Sequence, residues 1–256
     1  MAMLANPGDT CDRTKKGGQL ACTRQNRQDA SMSVSLSFAG ETLVPLACGA
    51  LHWPAQAMLV VADLHFEKAS AFARRGWLLP PYDSADTVGW LIDALAATGA
   101  GRVVCLGDSF HDRDGPARLP SGPAAALTML IRDLDWLWIT GNHDDGAATA
   151  MGGRVAEQAR VGPIWLRHEA VPGAGEPELS GHFHPKVAVM ARRRRIVRRC
   201  FALSQTKLIL PAYGAFTGGL DVADPAILAV LDGPVTALVP EVGRLLRFPV
   251  PRPGNA

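Results

Sequence analysis

Five short segments of the chain carry side chains that donate lone pairs. They are Asp63-Leu64-His65, Gly107-Asp108, Gly141-Asn142-His143-Asp144, His168 and Gly181-His182-Phe183-His184. Six of the seven histidines lie in or beside them; His111 follows Asp108 by three residues, and only His52 stands apart. Each piece alone is weak: Asp-x-His is common, a lone histidine such as His168 is usually a packed residue, and Gly-Asn-His-Asp can be a turn and helix cap. Their conjunction, in order along the chain, points to metal chemistry. Two divalent ions about 3.5–4 Å apart need a shared carboxylate between them, and Asp108 is the natural bridge. Carboxylate, imidazole and amide without thiolate suit Mn²⁺, Fe, Zn²⁺ or Co²⁺ and argue against a structural cysteine-type zinc site. The Asp-x-His and His-x-His spacings match strand periodicity, in which residues i and i+2 point the same way.

The surrounding pattern supplies elements to hold these segments. Met58–Asp63 is an apolar run ending in a carboxylate and reads as a buried strand. Arg102–Leu106 and Trp136–Thr140 read the same way, and each runs into the next polar segment. Helical spacing fits 68–77, 84–98 and 121–134, with Asp83 or Ser84 placed to cap the second and Gly99 to stop it. Three strand–helix units thus deliver polar residues at strand C-terminal ends, where open α/β sheets place their sites. Residues 33–48 suggest a short hairpin leading to a turn-like Gly-Ala-Leu-His-Trp-Pro. Beyond about residue 154, short strand candidates follow one another at 154–160, 163–168, 178–182, 187–191, 195–201, 207–210, 226–231 and 234–238, a second and more antiparallel sheet packed on the first.

The ordered set of Asp-x-His, Gly-Asp, Gly-Asn-His-Asp, His and Gly-His-x-His resembles that of the calcineurin-like metallophosphoesterases, over roughly Leu59 to His184. The longer stretches VADLHFEKASAFARRGWLLPPYD, LGDSFHD, GNHDD, SGHFHPK and LPAYGAFTGGLDV are similar to the ligase-associated DNA damage response endonuclease family (PdeM type), over most of 40–222. The resemblance implies an α/β fold, a four-layer α/β/β/α sandwich of two mixed sheets flanked by helices. It implies a hydrolase with two divalent ions, Mn²⁺ first with Fe or Zn as alternatives, in which a bridging hydroxide attacks phosphorus in line. Asp63, His65 and His184 would hold one ion, Asn142, His168 and His182 the other, with Asp108 between them. His143 would stabilise the phosphoryl oxygens or protonate the leaving oxygen. Asp144 would orient His143 or cap the following helix. One departure from many phosphatase relatives stands at His111, where they carry a carboxylate; His111 is read as touching substrate, assisting His143 or lining the rim.

The substrate is less sharply written. Pro185 to Cys200 encloses seven cations and no acid: Lys186, Arg192 to Arg195, Arg198 and Arg199. They read either as phosphate contacts on nucleic acid or as edge-protecting charges on a solvated hairpin. Lys68, Arg74 and Arg75 form a second basic group with the same two readings; Lys68, Arg74 and Lys186 are the candidate substrate contacts. The expected substrate is DNA, cleaved by an endonuclease or phosphodiesterase in repair, with a helicase or ligase partner implied by family association alone. A small-molecule or nucleotide phosphodiesterase or phosphatase, and a non-catalytic scaffold of the same fold, are the alternatives. Net charge does not choose, because 26 Lys and Arg against 24 Asp and Glu leave only +2. Five cysteines without a Cys-x-x-Cys favour reduced thiols in a cytosol, and no apolar run approaches the roughly 20 residues of a membrane span. Residues 1–31 are polar and aperiodic, and read as a disordered extension before a natural start at Met32, with 32–256 a single domain. Residues 212–221, rich in glycine but lacking a P-loop lysine, read as a tight loop near the site.

Overall fold

The computed structural model describes residues 34–143 and 146–252, so the expectations for residues 1–31 and for Asp144 lie outside the described residues. One seven-stranded sheet runs in chain order through β1 (Leu36–Phe38), β2 (Glu41–Pro45), β3 (Leu51–Trp53), β4 (Met58–Val61), β5 (Arg102–Leu106), β6 (Asp135–Ile139) and β7 (Arg154–Ala156). Its first four strands pair antiparallel, and β4 to β7 pair parallel. The second sheet comprises β8 (Gln158–Val161), β9 (Ile164–Arg167), β10 (Glu178–Ser180), β13 (Phe201–Leu203), β14 (Lys207–Ile209), β15 (Val235–Glu241) and β16 (Arg244–Val250), in the order β16-β15-β13-β14-β10-β9-β8. Here β9, β10 and β14 are mutually parallel and the other pairings antiparallel. A separate antiparallel ribbon joins β11 (Lys186–Ala191) to β12 (Arg194–Arg199). The helices are α1 (Lys68–Ala73), α2 (Asp83–Thr98), α3 (Gly115–Arg118), α4 (Ser121–Asp133) and α5 (Pro225–Val230). None among the described residues is long and apolar enough to cross a membrane.

Alternation along the apolar runs explains the layering. Leu59 and Val61 of β4, Val103 and Cys105 of β5, and Trp136 and Trp138 of β6 pack under Val88, Leu91 and Leu127 of the helices. Their neighbours Met58, Val60, Val104, Leu106, Leu137 and Ile139 face the other way, onto Ile164, Leu166, Leu179, Leu208 and Leu238 of the second sheet. Both faces of the parallel strands are therefore buried, which is why they read as unbroken apolar runs. The far face of the second sheet packs Ala202, Ile209 and Ala237 against Ile227 and Leu228 of α5 and Val187 of the ribbon. The result is the expected α/β/β/α sandwich.

Several local expectations change. The expected strand at 226–231 is instead α5, Pro225–Val230, with Leu231 as its cap. Asp224 accepts a hydrogen bond from the Ala226 N–H at 2.9 Å, and Pro225 occupies the first turn, a helix start outweighed at the sequence level by the short apolar run. The 154–160 segment is not one strand: β7 completes the first sheet and β8 opens the second, with Glu157 between them. Leu51–Trp53, inside the turn-like segment, is strand β3. Asp83 and Ser84 do not cap α2. Asp83 Oδ2 accepts from the Ala69 N–H at 2.8 Å, satisfying a donor in the first turn of α1, and Ser84 Oγ bonds both the N–H and the carboxylate of Glu67. The start of α2 thus pins the helix that follows Asp-x-His.

A buried charge network anchors the strand leading to Gly-His-x-His. Glu178 and Lys207 are register partners across β10 and β14, both essentially inaccessible to solvent, with Lys207 Nζ 2.7 Å from Glu178 Oε1. Lys207 also donates to the Val171 carbonyl, while Glu178 accepts from Arg167 and the Val171 N–H. Glu178 keeps Arg167 if Lys207 is lost, whereas Lys207 has no second carboxylate partner among the described residues, so removing Glu178 leaves a buried ammonium uncompensated. Glu178→Met is therefore expected to cost about 3 kcal/mol in urea unfolding; a loss within about 0.5 kcal/mol, the usual range for a surface change, would contradict this role.

Candidate metal centre

Each donor-bearing segment follows a parallel strand. Asp63 and His65 follow β4, Asp108 follows β5, Asn142 and His143 follow β6, His168 follows β9, and His182 and His184 follow β10. The strands end, but the chains continue side by side. The N–H groups of Asp63, His65 and Phe66 donate to the carbonyls of Gly107, Asp108 and Ser109 at 3.2, 2.9 and 2.9 Å. On the other flank, Tyr213 and Gly214 of the 212–221 loop donate to the carbonyls of Ala62 and Asp63. The second sheet joins through the Asp63 carboxylate, whose two oxygens accept the His182 N–H at 3.1 and 3.0 Å.

The backbone that makes these contacts has left the strand conformation. Asp63, His65, Asp108, His182 and His184 all have positive φ, at 53°, 45°, 46°, 70° and 48°. The Asp-x-His and His-x-His spacings are therefore not strand alternation: the backbone turns at both members of each pair, and at Asp108. For residues bearing a Cβ each such conformation costs roughly 1 kcal/mol or more. The glycine before Asn142 is needed for room, since a Cβ on Gly141 would collide with the backbone and carboxylate of Asp108. One on Gly181 would press into Ala62 and the Asp63 carboxylate.

The donors fall into two clusters. Asp63, His65 and His184 form one, Asp108, His168 and His182 the other, and within each cluster one ligand atom per residue lies within 4.8 Å of the rest. Asp108 spans both: Oδ2 is 3.9 Å from His65 Nε2, and Oδ1 is 3.6 Å from His168 Nε2. Asn142 Oδ1 sits 2.8 Å from His168 Nε2 and 3.2 Å from His182 Nδ1, so it belongs with the second cluster. His168 Nδ1 lies 3.0 Å from the Leu106 carbonyl, which can only accept; the proton is therefore on Nδ1 and the Nε2 lone pair faces the cluster. His65 Nε2 approaches His184 Nε2 at 3.3 Å, and His168 Nε2 approaches His182 Nδ1 at 3.1 Å. Burial, and after it the nearby His184, pushes the His65 pKa down to about 2, so the ring is neutral and keeps its lone pair at neutral pH. Converging oxygen and imidazole lone pairs, with two buried carboxylates to balance positive charge, fit two divalent ions.

The remaining candidates are spread around this centre. His143 lies at the mouth with its side chain about half exposed, its N–H donating to Asp108 Oδ1 at 2.9 Å. Its ring stacks on His111, centroids 5.8 Å apart at 14°, and His111 also touches the rings of His65 and Phe72. His111 thus lies at the rim and against His143. Burial first, then Lys68 and His143, depresses its pKa to about 4. Lys68 lies beside the rim with Nζ 5.8 Å from the Phe72 ring, and Lys186 Nζ is 3.4 Å from the Thr217 carbonyl. Arg74 is instead engaged at the surface by Asp114 at 3.1 Å. The basic run is not uniform. Arg192 to Arg195 and Arg198 are exposed, but Arg199 is largely buried and donates to the Tyr213 and Gly214 carbonyls and Thr217 Oγ1. It staples the 212–221 loop to the end of β12, a role its place in a charge run concealed.

The backbone strain has a measurable signature. His184→Gly and His184→Ala each remove one donor and are expected to lower metal content equally. In metal-free protein the glycine variant should be more stable than the alanine variant by about 1 kcal/mol, because glycine alone adopts a φ of 48° without cost. Equal urea midpoints would show that this position is unstrained.

No family model and no curated protein matches the chain. Among solved structures, the chain is similar to the crystal structure of nuclease MPE from Pseudomonas putida, with a TM-score of 0.65 and 27% identity, covering 84% of this chain and 100% of that one.

Proposed function

We propose that the protein is a metal-dependent phosphodiesterase that cleaves DNA. The observation that carries this reading is the pair of His/Asp clusters with Asp108 reaching both. The likeness to a nuclease over most of the chain supports the substrate. In this reading Asp63, His65 and His184 would hold one ion and Asn142, His168 and His182 the other, with Asp108 within reach of both. Oxygen and imidazole donors without thiolate suit Mn²⁺, Fe, Zn²⁺ or Co²⁺, and the motif resemblance puts Mn²⁺ first. When bound, the ions polarise phosphoryl oxygens and acidify water. The chain's own residues do the rest. His143, whose N–H is spent on Asp108, presents its ring to the phosphodiester, where it stabilises a non-bridging oxygen or gives a proton to the leaving oxygen. His111 fixes the plane of that ring by stacking. Lys68 and Lys186 meet the flanking phosphates as point charges. A role in DNA repair, in a reducing cytosol and alongside a helicase or ligase, belongs to the same proposal and rests on the motif resemblance.

Cleavage of single- and double-stranded DNA by the purified protein with Mn²⁺ tests the reading. Asp108→Asn and His143→Ala should each lose about 10²–10⁴-fold in turnover, but only Asp108→Asn should lose bound metal. Metal loss in His143→Ala would contradict the role given to that ring, and hydrolysis of a small phosphoester without any DNA cleavage would overturn the substrate. Raising salt from about 50 to 200 mM should weaken DNA binding by at least about tenfold; a flat response would point to a small-molecule or nucleotide phosphoester substrate instead.

A further inference from the structure

The segment after Asp-x-His carries a surface that runs on from Lys68, beyond the residues given a part in the reaction. Lys68, Phe72 and Arg75 recur at i, i+4 and i+7 along α1 and the turn that continues it, so they share one side of the helix. That side faces the rim: Phe72 touches the His111 ring at 5.4 Å, and both Lys68 and Arg75 act electrostatically on His111. The next residue but one is Trp77, whose N–H bonds the Phe72 carbonyl at 3.1 Å. Its side chain is 70% exposed, as are Leu78 at 89% and Tyr82 at 64%. Their loop is tied at both ends, by Trp77 to Phe72 and by Asp83 to Ala69, and Pro80 and Pro81 stiffen it.

Exposed aromatics on a short anchored loop imply something that covers them. The charges nearby say what. Glu67 is the only acid from Leu64 to Tyr82, and it is buried against Ser84. Arg74 is neutralised by Asp114, but among the described residues neither Lys68 nor Arg75 forms an ion pair. Cations that alternate with accessible rings, leading away from a phosphodiester centre, match the way single strands are bound: charges follow the backbone, and unpaired bases stack on aromatic faces.

We propose that Lys68, Phe72, Arg75 and Trp77, with Tyr82 beside them, form a track for unpaired nucleotides on one side of the scissile phosphate. Lys68 and Arg75 take backbone phosphates, Trp77 and Tyr82 stack bases, and Phe72 supports the rim between them. The track requires unpaired bases, so it selects single-stranded or frayed ends over closed duplex. It rests on the phosphodiesterase reading of the centre for its place in a reaction, but not for its binding.

Fluorescence anisotropy of the full chain with a labelled oligothymidylate of about 12 nucleotides, and with an abasic strand of the same length, separates bases from charge. Trp77→Ala should weaken oligothymidylate binding about tenfold and leave abasic binding unchanged, while Trp77→Phe should restore most of the loss. Equal losses on both strands, or no loss on either, would overturn the track. A native chain that binds neither strand would overturn it too and assign the loop to a protein partner. Hydrolysis of bis(4-nitrophenyl) phosphate by the native chain with Mn²⁺ reads the centre separately. If that fails while the base-dependent loss remains, the phosphodiesterase reading falls and the track stands.

Discussion

Seven side chains that carry lone pairs are held within reach of one another, and nothing in their own chemistry draws them together. Asp63 and Asp108 are buried, and among the described residues no Lys or Arg pairs with either. Imidazole nitrogens face each other at 3.1 and 3.3 Å. Such an arrangement is unfavourable in the absence of compensating positive charge, so it must be imposed by the backbone. The imposition is visible in the hydrogen bonds that zip the chain after β4 onto the chain after β5, and in the five donors forced to positive φ. Burial of the two sheet faces supplies the free energy that these loops spend.

Function follows from where this imposition occurs. In both sheets the donors follow parallel strands, so peptide segments leave in a common direction and their first residues crowd together. The elements around the centre are then recruited to support it. Arg199 is drawn from a basic run to staple a loop, Asp83 and Ser84 fasten α1 instead of their own helix, and the Glu178–Lys207 pair fixes the strand that carries two histidines.

The donors were legible in the sequence because chemistry restricts residue type: few roles other than metal binding gather Asp, Asn and His after successive apolar runs. The layers were legible too, since β4 to β6 are buried on both faces and read as strands without ambiguity. Backbone conformation was not. Asp63 and His65 stand two apart, as in a strand, yet the chain has left the sheet at Val61, and no pattern of residue types distinguishes the two cases. The short run 226–231 satisfies strand and helix equally, and only the Asp224-Pro225 start decides it. The break at Glu157 depends on which sheet each half meets, a tertiary fact. Arg192 and Arg193 were read as hairpin charges, but not their backbone: they occupy a two-residue turn with φ of 49° and 61°, where Asn-Gly would be the cheap choice.

The division of donors between the sheets makes the centre a clasp. Each cluster takes residues from both layers: Asp63 and His65 meet His184 across the seam, and Asp108 meets His168 and His182. An ion held in either cluster therefore cross-links two sheets that are otherwise joined by apolar packing and a few hydrogen bonds, in the manner of a disulfide that forms only when loaded. Part of the affinity for metal is then affinity of one half of the sandwich for the other, and mutations deep in the interface between the sheets, far from any donor, would be felt first as weaker metal retention.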